Sequence, residues 1–114
     1  MSASFINVES VEGLDRLFAT SHERPVVIFK HSVTCGISAG VRREVGLVST
    51  DVNVIVIQTH RHLSNEIAHR TGVRHESPQA IVLVNGQPAY HASHYDIEAA
   101  HIEASMDATG VDRC

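Results

Sequence analysis

Apolar positions along this chain switch between a helical period and unbroken β-type runs. After Ser10, a residue suited to cap a helix N-terminus, Val11, Leu14, Leu17 and Phe18 recur every three to four residues, which predicts a first helix over 11–20. Phe5 to Val8 reads as a short strand before it. Pro25 opens PVVIFK, whose β-branched apolar run suits a strand buried on both faces. Ile37, Val41, Val45 and Val48 then form one stripe and predict a helix over about 36–49, with Arg42, Arg43 and Glu44 pointing elsewhere. VNVIVI, 52–57, repeats the buried-strand signature. RHLSNEIAHRTG places Leu63, Ile67 and Ala68 on one helical face, with Gly72 as a C-terminal stop.

The next strand is QAIVLV, 79–84, closed by Asn85-Gly86, the strongest short hairpin signal, and answered by a return strand from about Pro88 to Ala92. Pro88 lacks an amide proton for a ladder, so this return strand is expected at a sheet edge. Ser93-x-x-Asp96 has the form of a capping box and introduces a last helix with Ile97, Ala100, His101 and Ala104 on one side. The resulting order is (β)α, βα, βα, ββ, α, with parallel crossovers first and an antiparallel hairpin second. That is the order of an α/β thioredoxin-like fold: a mixed central sheet with helices on both faces. Fold alone does not assign function, which resides in a site.

At 114 residues the chain suits one domain, 1–114, and shows no internal repeat, low-complexity tract or linker. Its 43% hydrophobic content marks it as globular rather than disordered. A formal charge of -4 and a pI near 6.1 leave no electrostatic footprint for nucleic acid. No signal peptide opens the sequence and no stretch approaches a membrane span, so no membrane partner and a cytoplasmic location are expected. Two cysteines, Cys35 and Cys114, are too few for a disulfide framework; in a reducing compartment an isolated cysteine is either a buried hydrophobe or a reactive group.

Position makes Cys35 the reactive candidate. It falls about five residues beyond the 25–30 strand, at or just before the first turn of the next helix. There its sulfur would face unpaired backbone N–H groups and the positive end of the helix dipole, both of which favour the thiolate. Lys30 and His31 would add positive potential, or serve simply as a solvated strand end. Ser77-Pro78, just before the QAIVLV strand, is the second element: in the thioredoxin-like order this is the cis-proline loop that lies against the active-site cysteine. Ser38, three residues after Cys35, stands where a C-x-x-C motif would have its second thiol. It is either a hydrogen-bond donor to the thiolate or a solvent-facing residue of the first turn.

The runs KHSVTC (30–35), VRHESPQ (73–79) and HASHYDI (91–97) resemble the YtxJ-type bacilliredoxins, small thioredoxin-like proteins of bacteria that use the thiol bacillithiol. The resemblance spans roughly residues 10 to 105. It implies a monothiol disulfide oxidoreductase in thiol redox homeostasis. In this reading Cys35 is the nucleophile that removes bacillithiol from bacillithiolated proteins, with bacillithiol as co-substrate and no resident cofactor. By their position at the strand-helix junction and the proline loop, Lys30, His31, Thr34, Gly36, Ile37, Ser38, Ser77 and Pro78 are the candidate residues around the substrate. Family members commonly carry T-C-P-I-S, whereas this chain has Thr34-Cys35-Gly36-Ile37-Ser38. Glycine for proline frees φ in the first helical turn and restores an N–H donor.

Other readings stay open on the residues alone. C-G-I-S is superficially similar to the C-G-F-S motif of monothiol glutaredoxins, which bind glutathione or an iron-sulfur cluster, although the flanking KHS and HASHYDI runs argue against it. A noncatalytic thioredoxin-fold adaptor with an inert Cys35 is a third possibility. Nine histidines invite a metal, but His60-x-His62 chelates only if its strand extends that far, and no second cysteine or carboxylate completes a tetrahedral set; no metal is expected. His75, His91 and His94 read first as residues that fix the proline loop and the hairpin end. Cys114, at the chain end, is read as incidental.

Overall fold

The computed structural model describes residues 3–34 and 36–111. Five strands form one sheet in the order β1-β3-β2-β4-β5. β1 (Phe5–Asn7) and β2 (Val26–His31) run parallel to β3 (Val52–Val56) on either side of it. β4 (Gln79–Val84) pairs antiparallel with β2, and β5 (Gln87–Ser93) pairs antiparallel with β4 and forms the edge. The register slips between Val82 and Leu83 as the ladder reaches Pro88, the residue that cannot donate to it. Four helices connect and cover the sheet: α1 (Val11–Thr20), α2 (Gly36–Val45), α3 (Arg61–Thr71) and α4 (Ala99–Val111).

Alternation along β2 divides the core. Val27 and Phe29 point to one face, where they meet Val41 and Val45 of α2 and Ala99 and Ile102 of α4. Val26 and Ile28 point to the other face, where Leu14 of α1 and Leu63 and Ile67 of α3 cover them. Each of these side chains is 5% exposed or less, apart from Ala99 at 8%, so removing one fully buried Leu or Ile to Ala would cost roughly 2–5 kcal/mol. The same alternation sends the next residue, Lys30, to the α1/α3 face and His31 to the α2/α4 face.

Local chemistry sets the ends of these elements. Ser10 caps α1, its hydroxyl accepting from Gly13 N–H at 3.0 Å. Gly72 ends α3 in the left-handed region at φ 74° and donates to Ala68 O at 2.9 Å. Asn85 and Gly86, with φ 54° and 75°, make the two-residue hairpin turn expected of that pair. Its amides are tied to the end of α1, Asn85 N–H to Ser21 O and Gly86 N–H to Ser21 Oγ.

Two expectations are corrected. α2 stops at Val45 rather than 49; Leu47 and Val48 continue in tight turns, and Val48 still reaches the core. The Ser93-x-x-Asp96 box does not cap the last helix. His94 to Asp96 form a separate 3-10 turn, Ser93 makes no side-chain cap bond, and α4 begins at Ala99, whose N–H is taken by Glu44 Oε2 at 2.8 Å. The helix therefore turns Ile102 inward and leaves Ala100, His101 and Ala104 exposed. Among the described residues, no helix is long and apolar enough to cross a membrane.

Candidate active site

The C-terminal end of β2, the first turn of α2 and the loop before β4 converge at one end of the sheet. Cys35 itself lies outside the described residues; those on either side of it are described. Ser32 leaves the strand, Val33 and Thr34 form a turn, and Gly36 begins α2. A residue overlooked in the sequence, Gln58, holds this turn. Its Nε2 donates to Ser32 Oγ at 2.8 Å and to Thr34 Oγ1 at 3.1 Å, while its Oε1 accepts from Val33 N–H at 3.1 Å. The one signal for it is position: Gln58 follows β3, whose Val56 is in register with His31, so it emerges beside the turn. Val33, 60% exposed, and Thr34 form an open rim there.

Ser38 is fully buried and does not face solvent. Its Oγ accepts from Ser32 N–H at 3.0 Å and lies 2.7 Å from Nδ1 of His31. The hydroxyl thus staples α2 to the end of β2, satisfying a buried amide that the strand ladder does not reach. His31 stacks on Phe29, with ring centroids 5.5 Å apart. Burial and then the Arg42 charge hold its pKa below the ordinary histidine value, so the ring is neutral at neutral pH. Ile37 is half-buried against the α2/α4 core, and Gly36 is exposed, with open space where a Cβ would stand.

Lys30 is neither solvated nor on the α2 face. It is 0% exposed, under α3, where Nζ donates to the Ser64 carbonyl at 3.1 Å and lies 3.4 Å from Nδ1 of His75. Ser64 Oγ is 2.7 Å from the same nitrogen. Burial, and secondarily Arg61, lowers the Lys30 pKa to about 8. His75 belongs to the loop that carries Ser77 and Pro78, whose peptide bond is cis and whose proline is buried.

The loop is held from two further directions. Gln79 Nε2 donates to Arg74 O at 2.9 Å, and His94 N–H donates to Pro78 O at 3.0 Å. His94 makes that bond from a left-handed backbone at φ 55°, which a non-glycine residue rarely adopts without surrounding constraint. Its ring is 3.4 Å from Glu76, while His91 is exposed on β5. Ser77 Oγ is buried and has no hydrogen-bond partner among the described residues. Beside the loop, Arg74, Glu76, Gln79, His91 and His94 line an open cavity of about 380 Å³.

His60 and His62 do not share a strand, since β3 ends at Val56; one precedes α3 and the other lies within it. Among the described residues, no group of three His, Cys, Asp or Glu side chains is arranged to hold a metal ion. Cys114 lies outside the described residues.

Two kinds of comparison bear on this arrangement. The family model described as monothiol bacilliredoxin BrxC matches residues 6–102. The chain belongs to this family. A solved structure of a protein provisionally assigned as an oxidoreductase with a thioredoxin fold is similar at 31% identity and a TM-score of 0.80, over 89% of this chain and 92% of that one. Thioredoxins of Malassezia sympodialis (13% identity, TM-score 0.69, 94% and 90% covered) and Trypanosoma brucei brucei (15%, 0.67, 97% and 93%) share the fold. The architecture is therefore thioredoxin-like, and family membership carries a thiol redox function. Cys35 is the one cysteine within the matched span, and Cys114 falls beyond it.

Proposed function

We propose that this protein is a monothiol disulfide oxidoreductase that removes bacillithiol from protein mixed disulfides through Cys35, acting in the cytoplasm in thiol redox homeostasis. The observation that carries the reading is the family match over a span with one cysteine, in which the position of a second thiol is filled by the fully buried, hydrogen-bonded Ser38. The Cys35 thiolate attacks the bacillithiol sulfur of the mixed disulfide. The protein sulfur leaves as thiolate and takes up a proton, and Cys35 keeps bacillithiol in a new disulfide. Ser38 offers oxygen rather than sulfur, so nothing within the turn expels the bound thiol. A second, external thiol attacks that disulfide, restores Cys35 and carries bacillithiol away.

Other features support the reading without deciding the thiol. The rim of Val33 and Thr34 is open to a protein substrate, and main chain beside Ser77-Pro78 suits strand-like pairing with an extended segment, which tolerates many sequences. Arg74, His91 and His94 around the cavity are suited to carboxylates of a small thiol. Intact-mass analysis after exposure to oxidised bacillithiol and, separately, oxidised glutathione tests it. One bacillithiol adduct mapped to Cys35 and removed by free thiol is expected. A glutathione adduct in preference, or visible absorbance from a bound cluster, would favour the glutaredoxin-like alternative. No adduct with either reagent would sink both redox readings and leave the adaptor.

A further inference from the structure

Lys30, Ser64 and His75 come from β2, α3 and the proline loop, and they meet in one buried polar contact. Each fact limits the next. At neutral pH the Lys30 Nζ is an ammonium with only protons to offer, so His75 Nδ1, 3.4 Å from it and 2.7 Å from the Ser64 hydroxyl, serves as the lone-pair nitrogen. The ring proton is then on Nε2, and the imidazole is neutral. Lys30 and Ser64 are both 0% exposed, so their ends of the contact have no water to fall back on, and the arrangement is held by the cost of leaving buried polar atoms unpaired. His75 is two residues from Ser77 and three from Pro78.

We propose that Lys30 and Ser64 are positioning residues: from beneath the sheet face they hold His75 in its Nε2–H tautomer and thereby fix the segment 74–78 in the shape that receives substrate. The inference rests on the thiol-disulfide exchange proposed above and goes beyond it, assigning roles to residues on the sheet face opposite α2. Burial without a carboxylate partner is costly for a lysine, and a methionine of similar length would fill the space at less expense. The contact specifies geometry instead. Charges facing His75 are Lys30 from β2, Arg61 from α3 and Glu76 from its own loop. Burial, Lys30 and Arg61 lower its pKa, and Glu76 opposes them, so the neutral ring persists below the ordinary histidine range.

The test uses the full-length protein and two variants, Lys30→Met and Ser64→Ala, with three measurements on each. Nitrogen-15 NMR of the histidine rings is expected to show one tautomer for His75 in the unmodified protein, and a mixture with a raised midpoint in both variants. KM for a bacillithiolated protein should rise roughly five- to tenfold, the scale of one lost hydrogen bond, with kcat little changed. The rate of Cys35 alkylation by iodoacetamide should stay within about twofold, because the nucleophile is untouched. If either folded variant keeps a single His75 tautomer and an unchanged KM, the proposal is overturned. Should the unmodified protein fail to act on the mixed disulfide, the functional reading fails instead, and the tautomer measurement still decides whether the three residues are coupled. Should Lys30→Met fail to fold, Ser64→Ala decides alone.

Discussion

Replacing Ser38 by alanine removes a fully buried oxygen. Two partners lose it: the Ser32 amide at 3.0 Å, which is buried, and His31 Nδ1 at 2.7 Å, which is half-buried. A buried donor left unsatisfied costs about 1–3 kcal/mol, and a second, partly exposed hydrogen bond is worth roughly 0.5–1.5 kcal/mol. Alanine leaves little cavity and keeps helix propensity, so the total should be about 2–3 kcal/mol, a sizeable share of the roughly 5–15 kcal/mol that holds a domain together. Urea unfolding followed by circular dichroism should show the midpoint falling with an unchanged slope, and the melting temperature should fall by roughly 8–12 °C. Ser38→Cys is the companion, because sulfur fills the space but accepts weakly; it should lose less stability and let bacillithiol be expelled from Cys35 without an external thiol. A loss below about 1 kcal/mol in Ser38→Ala, with the slope unchanged, would mean that the Ser32 amide has another partner and that the hydroxyl is no staple.

The buried lysine has a pH signature. Its folded pKa of about 8 lies below the usual 10.5, so the unfolded chain binds the proton more tightly and stability rises with pH between those values. That contribution, roughly 3 kcal/mol, is complete above pH 10.5 and lost as pH falls through 8; denaturant unfolding across this range should show it in the unmodified protein and not in Lys30→Met. Gly36→Ala meets no atom within 4 Å and no positive φ, so it should raise stability by about 0.4–1 kcal/mol in a thermal melt, and a decrease would show that the first turn of α2 needs glycine. Gln58→Ala removes three hydrogen bonds from the turn before Cys35; it should change global stability by less than about 1.5 kcal/mol, since the site is exposed, yet alter the Cys35 alkylation rate severalfold. Cys114→Ser should leave debacillithiolation intact in a mass-spectrometric turnover assay, and complete loss of turnover would overturn the one-cysteine mechanism.

Strand and helix order was legible because each element announced itself locally. Unbroken β-branched runs placed β2, β3 and β4, helical spacing placed α1 and α3, and Asn85-Gly86 specified a turn whose backbone few other residues adopt. Long-range pairing was not legible. Lysine is rarely buried, so Lys30 read as positive potential beside the thiol or as a solvated strand end, and nothing near it pointed to Ser64 and His75, which are 34 and 45 residues away. Gln58 was missed for the same reason: its partners come from a neighbouring strand end rather than from its own sequence context. The Ser93-x-x-Asp96 pattern misled because a local motif was outcompeted. Pro78 O holds the His94 amide, which bends the chain into a separate turn, and Glu44 from α2 serves the true start of α4.

Where the chain hides polar groups says what kind of structure the site is. Of the buried polar or charged residues described (Ser21, Lys30, Ser32, Ser38, Asn53, Ser64 and Gln79), Ser21 ties the hairpin to α1 and Asn53 braces β2 from mid-sheet. The remaining five stand at the end of β2, in the first turns of α2 and α3 and at the start of β4, around the segments that flank Cys35 and carry Pro78. Burying such groups is a poor way to gain stability, since an apolar core of equal volume does as well or better. It is a good way to fix direction, because a hydrogen bond is lost on small displacements that dispersion contacts tolerate. The apolar faces of the sheet therefore account for folding, and the polar end accounts for a loop and a turn held at a fixed separation. Under the function proposed above, in which a disulfide is seated between a single thiol and the proline loop until an outside thiol arrives, such fixed geometry would serve both steps.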